Sequence, residues 1–504
     1  MAEYINTYIP DLYFEKNRFV NAPADNTKPL DFKKIKDMLP EPIWDGNPDA
    51  VECYYKAWEI AFKNIKKPTK KNGFVAPYID AAFNGHMFLW DSCFMLMFGK
   101  YARRVFDFQK TLDNFYCKQE KDGFFGREID EETGESCFFR HDLTSTGPEI
   151  PAWCEWQYYK ESGDKERLRK VYYPLLSYHR WFKAYRRHKD GSYWSTGWGC
   201  GMDNLPRVDK STLPGADPDP MGVCHHSFMS WIDATSQAAL SCDILLAAAK
   251  ELEISDGVEE LKEERDFLLK FINEKMWSEE DGFYYDLKSD GELLKVKTAA
   301  SFWTLISGAA PEERVLKLCS HLKNENEFKR KNRVPALSAD HPDFDPRGDY
   351  WNGGVWAPVV YMVVSGLKRS KKDALAREIV LCCYKNMLGV YKDTGTFWEN
   401  YAPDFCERGE RSGGDFVGWT GIIPITMLIE DVFGIEVNSK DDEIVWHINE
   451  LSRHGIKNLP FGKDSEITLI CEKRNSEEEK PQITVLGGRP KKIRVIYGGG
   501  EFYL

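Results

Sequence analysis

Gly197-Trp198-Gly199-Cys200-Gly201-Met202-Asp203-Asn204-Leu205-Pro206-Arg207 lies inside a long connection, residues 189–229, between stretches of helical periodicity at 165–188 and 230–253. Three glycines alternate with Trp198, Cys200 and Met202, which lets the backbone turn sharply and approach other groups closely. Trp198 offers a flat apolar face near Asp203. Partial desolvation there would raise the carboxyl pKa toward the range in which a general acid works. The plainer reading of the same residues is a glycine-rich surface turn with Asp203 as a helix cap.

Outward from this stretch the same arrangement recurs. Helical periodicity marks twelve segments, near 49–66, 90–103, 107–119, 148–162, 165–188, 230–253, 256–275, 298–307, 311–323, 354–366, 371–389 and 418–432. Long connections carrying Gly, Trp, Asp and Asn (120–147, 189–229, 324–353, 390–417) contrast with tight turns at 163–164 and 254–255. Loops beyond about 12–15 residues are uncommon unless they are functional. Helix pairs with chemically loaded loops at one end predict a mainly α protein, an (α/α)6 toroid of six inner and six outer helices. Residues 1–48 read as an N-terminal irregular arm or short strands, 49–436 as the catalytic domain and 437–504 as a small C-terminal β-appendage. The last assignment rests on Glu443–Ile448, Ile467–Cys471, Gln482–Leu486 and Lys492–Tyr497, which alternate or run apolar between turn signals.

The net charge of −12 argues against nucleic acid or an anionic membrane as partner. Aromatic residues make up 14% of the chain, a composition suited to stacking on sugar rings. No window approaches the ~18 apolar residues of a membrane span, and Met1-Ala2-Glu3-Tyr4 opens no secretory signal. Thirteen scattered cysteines, mostly in apolar runs, read as free thiols, so a cytoplasmic location is expected.

Four further segments carry candidate chemistry. Trp90-Asp91 opens a helix, where capping by Asp91 or Ser92 is the bland reading. Asp122–Glu128 is a charged turn, expected to be structural. Tyr350–Trp356 combines aromatics, an amide and glycines before a helix. Phe397-Trp398-Glu399-Asn400-Tyr401 sets a carboxylate among three aromatics, where unpaired burial would cost several kcal/mol. Asp203 and Glu399 facing each other across an aromatic cavity would be the equipment of glycoside hydrolysis. No nucleophile elbow, phosphate loop, His-Glu-x-x-His or Cys-x-x-Cys stands in the sequence. His225-His226, Asp217-Pro-Asp219 and Asp343-Phe-Asp345 are minor candidates for a metal; none is assigned one.

These residues resemble the inverting α-glycosidases of glycoside hydrolase families 63 and 37, which include α-glucosidases, mannosylglycerate hydrolases and trehalases. The resemblance runs from about residue 83 to 435. Trp90-Asp91 is similar to the early Trp-Asp that contacts the sugar at subsite −1. Gly201-Met202-Asp203-Asn204 resembles the segment of the general acid, and Glu399-Asn400-Tyr401-Ala402-Pro403 that of the general base. Gly418-Trp419-Thr420-Gly421 looks like the late segment that closes the pocket. Tyr350-Trp351-Asn352-Gly353-Gly354 departs from the Tyr-Trp-Arg-Gly-Pro those families commonly show, which removes a charged contact. Asn84-Gly85-His86-Met87 replaces the fuller trehalase signature.

The resemblance implies an exo-acting inverting hydrolase of a short α-linked gluco- or manno-configured saccharide. Asp203 would be the acid and Glu399 the base, their carboxyls on the order of 6.5–9.5 Å apart. Trp90, Asp91, Trp198, Asn204, Trp351, Asn352, Trp356, Trp398 and Trp419 would bind the sugar. No cofactor is implied, the partner is the small saccharide, and the oligomeric state stays open. An inverting disaccharide phosphorylase on the same toroid is the nearer alternative. A sugar isomerase or binding toroid is the more distant one, and it would place His86, His225 and His226 in the pocket.

Overall fold

Apolar residues returning every three to four positions produce helices throughout the central chain, and the caps are written locally. The computed structural model describes residues 9–27, 31–81, 84–212 and 224–504, so Asp217–Asp219 lie outside the described residues. The first long helix, α1 (Pro48–Lys63), begins where Asn47 accepts the Ala50 N–H at 3.4 Å and Pro48 presets the first helical φ. There follow α2 (Leu89–Gly99), α3 (Thr111–Cys117), α4 (Pro151–Ser162) and α5 (Lys165–Tyr185). Gly163, at φ +68°, ends α4, and Asp164 caps α5 through the Arg167 N–H. The series continues with α6 (Ile232–Leu252), α7 (Val258–Lys275), α8 (Trp303–Ser307), α9 (Glu312–Leu322), α10 (Ala357–Arg369) and α11 (Asp373–Thr394). It closes with a 3-10 turn, Trp419–Ile422, that runs into a π-helix, Ile423–Val432. Each of the twelve periodic stretches therefore contains a helix.

Burial separates the helices into two kinds. Every residue of α2 is buried, and α10 buries all but Ser365, Lys368 and Arg369. A helix apolar on all sides belongs in an interior. By contrast, α9 buries only Val315, Leu318, Cys319 and Leu322, a single stripe at helical spacing. In succession, α2 packs on α4, α4 on α6, α6 on α8, α8 on α10, and α10 on the Trp419–Ile422 turn, which packs back on α2. The other helices pack against these, among them α3 on α2, α5 on α4, α7 on α6 and α11 on α10.

Strand β1 (Glu41–Trp44) comes from the N-terminal segment. The C-terminal segment supplies β2 (Ile435–Asn438), β3 (Glu443–His447), β4 (His454–Phe461), β5 (Ser465–Cys471), β6 (Ile483–Gly487), β7 (Lys492–Tyr497) and β8 (Gly500–Tyr503). One sheet runs β1-β4-β5-β6, all antiparallel. The other runs β2-β3-β7-β8, with β3 and β7 parallel. The segment read as an irregular arm thus gives one strand to the C-terminal sheet, Glu41 standing opposite Lys457 and Trp44 opposite His454. No helix among the described residues is long and apolar enough to cross a membrane.

The Gly197–Arg207 stretch differs from a plain turn. Gly197–Cys200 forms one helical turn because Thr196 Oγ1 accepts the Gly199 N–H at 2.9 Å, and Gly201, at φ +72°, ends it. The stretch ends on Arg207, which is buried and forks onto two carboxylates. Its Nη1 and Nη2 reach Asp233 at 2.7 and 2.9 Å, while Nε and Nη2 reach Asp286 at 2.9 and 2.8 Å. Arg207→Met would strand two buried carboxylates. Breaking a buried ion pair in this way costs about 3–5 kcal/mol, and denaturant unfolding of the variant is expected to show a loss of that size.

Candidate active site

Three loops and the N-terminal ends of buried helices converge on a cavity of about 380 Å3. Among the expected site residues, Trp90, Asp91, Trp198, Asp203, Trp351, Glu399 and Trp419 line it. Trp90 and Asp91 stand in the first turn of α2, and Trp198 reaches the rim, 39% exposed. Gly201 makes the wall possible, since a Cβ there would meet the Trp90 indole at 3.3 Å.

Asn204, Asn352, Trp356 and Trp398 do not line the cavity; the structure sets them behind or beside its wall. Trp356 is fully buried and stacks on Trp351, with ring centroids 3.8 Å apart and planes 7° apart, so it supports the wall instead of forming it. Trp398 sends its Nε1–H to Thr394 at 3.1 Å and lies under the Arg408 guanidinium. Asn352 closes the local turn, its carbonyl accepting the Asp345 N–H at 2.8 Å. Asn204 is a staple: Oδ1 accepts the Trp351 N–H at 2.8 Å and Nδ2 donates to the Asp349 carbonyl at 3.2 Å.

Between those two anchors sits Tyr350, at φ +58°, a conformation that costs an aromatic residue on the order of 1–3 kcal/mol. The staple holds it there, and its hydroxyl donates to Asp203 Oδ2 at 3.3 Å. Glu399 is braced from the late segment. Trp419 Nε1–H donates to the Glu399 carbonyl at 2.8 Å, and Thr420 Oγ1 to the Trp398 carbonyl at 2.7 Å. The Gly413 N–H donates to Glu399 Oε2 at 3.3 Å.

Tyr350, Arg127 and Glu128 also line the cavity, the last two in the turn expected to be structural. The ribbon pairing His86–Phe88 with Glu128–Asp130 carries them in, beside Trp90. Arg127 is fixed by Nε–H donation to the Thr144 carbonyl at 2.6 Å and by its position over Phe138. The only sequence signal for it is an Arg-Glu pair directly after Phe-Phe-Gly. A guanidinium therefore stands in the cavity although Asn352 occupies the place of the families' usual Arg.

Burial governs the electrostatics. It pushes Asp203 up to about 6, while the Arg127 charge and the Tyr350 hydroxyl hold it back. It pushes Glu399 up to about 7, opposed by the Gly413 N–H and assisted by the negative charge of Asp203. Burial also raises Asp91 well above the usual range, with Asp80, Glu399 and Asp203 adding to the effect, and Asp91 Oδ1 has no hydrogen-bond partner. The site therefore holds two carboxyls that titrate near neutrality, Asp203 and Glu399, beside a third, Asp91, that burial raises further.

No histidine lines the cavity among the described residues, and His226 instead accepts the Phe228 N–H and packs on Trp194. Among the described residues, two clusters have metal-ligand types. His86, Glu128 and Cys137 lie near the rim; His179, Cys242 and Glu264 lie buried between α5, α6 and α7. The second is balanced as it stands, since His179 Nδ1 meets Glu149 at 2.8 Å and Lys183 meets Glu264 at 2.6 Å.

Clustered carboxyls in an aromatic-walled pocket at one end of a helical array, with no histidine or cysteine in the lining, are the chemical equipment of a glycoside hydrolase. Residues 84–420 match the mannosylglycerate hydrolase MGH1-like glycoside hydrolase domain, and the chain belongs to that family. An uncharacterised protein of Borreliella burgdorferi is 27% identical over 394 residues, 76% of this chain and 79% of that protein. The mannosylglycerate hydrolase of Rubrobacter radiotolerans is 28% identical over 167 residues, 32% of this chain and 35% of its own length. The fold is similar to that of the family 63 mannosylglycerate hydrolase from Thermus thermophilus solved with glucose. That likeness has a TM-score of 0.60 at 22% identity over 74% of this chain and 99% of that one.

Tyr350→Phe removes a hydrogen bond that favours the ionised Asp203. The Asp203 carboxyl is expected to titrate above its present value of about 6 in the variant. Carboxyl 13C NMR, assigned with Asp203→Asn, measures it, and an unmoved titration would show that the tyrosine exerts no hold.

Proposed function

We propose that this glycoside hydrolase cleaves a short α-linked gluco- or manno-configured saccharide from its end, with inversion, Asp203 acting as general acid and Glu399 as general base. The observation that carries the reading is that both carboxyls line one cavity and both are raised by burial to about 6 and about 7, with the charge of Asp203 felt at Glu399. Asp203 protonates the leaving oxygen, and Glu399 draws a proton from the attacking water. Trp90, Trp351 and Trp419 wall the −1 sugar, Asp91 accepts its hydroxyls, and Trp198 covers the entrance.

Burial raises both carboxyls toward neutrality, and the inverting cycle needs the proton on Asp203. Bound substrate favours that arrangement in two ways. A water held against Glu399 donates to it and favours its ionised form, while a sugar seated over Asp203 desolvates that carboxyl further. The roles themselves rest on the resemblance of the two segments to the acid and base segments of families 63 and 37.

The ordered packing of buried and striped helices supports an (α/α)6 toroid over 49–436, with 437–504 as its β-appendage and β1 tying the arm to it.

Proton NMR of the anomeric signals during digestion of kojibiose, nigerose, maltose, mannosylglycerate and α-mannobioses tests the reading. The wild type is expected to release the β-anomer first, and Asp203→Asn and Glu399→Gln to lose roughly 10²–10⁴ in kcat. First release of the α-anomer, or full turnover in either variant, would overturn it.

The pH profile is a separate expectation. Activity requires one proton on the pair, so kcat/KM should fall as pH drops below about 6, where both carboxyls protonate. It should fall again as pH rises above about 7, where the last proton leaves. A narrow bell centred between those values is the expected result.

A further inference from the structure

A second cavity, of about 510 Å3, opens at the opposite ends of the same buried helices, between them and strands β2 and β3. One face of α4 enters it: Trp153, Trp156, Gln157, Lys160 and Glu161 follow the spacing of a helix stripe that would ordinarily be apolar. Its lining is rich in charge, and nearly all of that charge is already matched. Lys100 meets Glu161 at 3.0 Å and Glu430 at 2.7 Å. Lys368 meets Glu436 at 3.1 Å, Arg369 meets Asp243 at 2.9 Å, and Glu443 meets Lys492 at 3.1 Å.

Lys160 is the exception. Among the described residues, no carboxylate stands within ion-pair distance of its ammonium; burial and the Lys100 charge pull its pKa down to about 8, and the more distant charges of Glu430 and Glu436 hold it up. At neutral pH Lys160 is therefore a cation with no direct carboxylate contact. On the same lining Asn438 donates through Nδ2 to Asp441 at 2.9 Å, while its Oδ1 is buried and receives no donor. Trp156, half-buried, adds a ring face, and Gln157 an amide.

The geometry points to a second ligand site, one that takes a hydroxylated oxyanion of about the size of a sugar phosphate. The oxyanion would pair with Lys160, a hydroxyl would donate to Asn438 Oδ1, and the body would lie against Trp156. The volume falls within the range of about 300–1,000 Å3 usual for small-ligand sites. This site is distinct from the front cavity: the two share no lining residue, and an aromatic chain lies between them. Trp90 of the front cavity packs near Trp303 at 6.5 Å, and Trp303 near Trp153 of the second cavity at 5.9 Å.

Isothermal titration calorimetry of the full chain with D-glucose 6-phosphate, inorganic phosphate and D-glucose tests the site. Saturable binding of the two phosphates is expected in the wild type. Lys160→Met should weaken it roughly tenfold or more, the scale of one charge-assisted contact, whereas Lys160→Arg should keep it. Lys160→Gln repeats the test should the Met variant fail to fold. None of the three substitutions touches the front cavity, so hydrolytic activity is expected to persist in all of them. No saturable binding of either phosphate, or binding by Lys160→Met and Lys160→Gln equal to that of the wild type, would overturn the inference.

Discussion

The guanidinium of Arg207 between Asp233 and Asp286 is the constraint on which the position of the candidate acid depends. Two buried carboxylates against one buried cation leave an excess negative charge, and the helix beside them supplies the balance. Asp233 lies in the first turn of α6 and accepts the Ala234 N–H at 2.9 Å, while Asp286 accepts the Ile232 N–H at 2.8 Å. Those N–H groups have no partner inside the helix and carry its positive end. The fork also lies 4.7 Å over the Trp231 ring. Such an arrangement adds little net stability over an apolar core, but it tolerates one geometry only. Because Arg207 is four residues beyond Asp203, fixing the one leaves the other a short, hydrogen-bonded turn in which to move.

From that anchor the site is assembled by loops that hold one another. Asn204 ties the Asp203 loop to residues 349–351, and the tie keeps Tyr350 in its left-handed conformation with its hydroxyl on Asp203. The Glu399 loop is fixed from the other side by Trp419 and Thr420. Neither carboxyl lies within a helix, so the helices set the frame and side-chain to main-chain hydrogen bonds set the aim. The raised carboxyls follow from the aromatic walls that the frame brings together.

The helices were legible because their apolar spacing is local: all twelve periodic stretches hold one, and α1 and α5 carry caps readable from Asn47-Pro48 and Asp164. Asp203, Glu399 and the tryptophans at 90, 198, 351 and 419 were legible as polar or aromatic residues in places where a fold must explain them, and the cavity gathers them. What was not legible depends on partners far along the chain. Arg127 and Glu128 enter the cavity through pairing with His86–Phe88, some forty residues earlier, and no local pattern announces that ribbon. Trp356 and Trp398 carry the same composition signal as Trp351, and only packing decides which ring faces the cavity and which one props it. Gly197–Cys200 reads as a turn because two glycines, a tryptophan and a cysteine are poor helix formers; Thr196 overrides them with one hydrogen bond.

The two cavities express one polarity. Helices α2, α4 and the π-helix run from one to the other: Trp90, Pro148 and Trp419, at or just before their starts, line the front, while Lys100, Lys160 and Glu430, at or near their ends, line the back. Aligned peptide dipoles make helix N-termini favourable to negative charge and C-termini favourable to positive charge, each by roughly 0.3–1 kcal/mol. The front lining carries Asp91, Glu128, Asp203 and Glu399 with one guanidinium, Arg127, whereas the back lining carries Lys100, Lys160, Lys368 and Arg369 among five carboxylates, Glu161, Asp243, Glu430, Glu436 and Glu443. At the front, burial works against this preference by disfavouring charged carboxylates, and the opposition leaves Asp203 and Glu399 titrating between about 6 and about 7. At the back, carboxylates pair directly with Lys100, Lys368 and Arg369, whereas Lys160 feels Glu430 and Glu436 only from beyond ion-pair distance. The field of the helices accounts for a lysine at that place; it does not supply the counter-ion, and a partly buried ammonium in an open cavity is completed by an anion from solution.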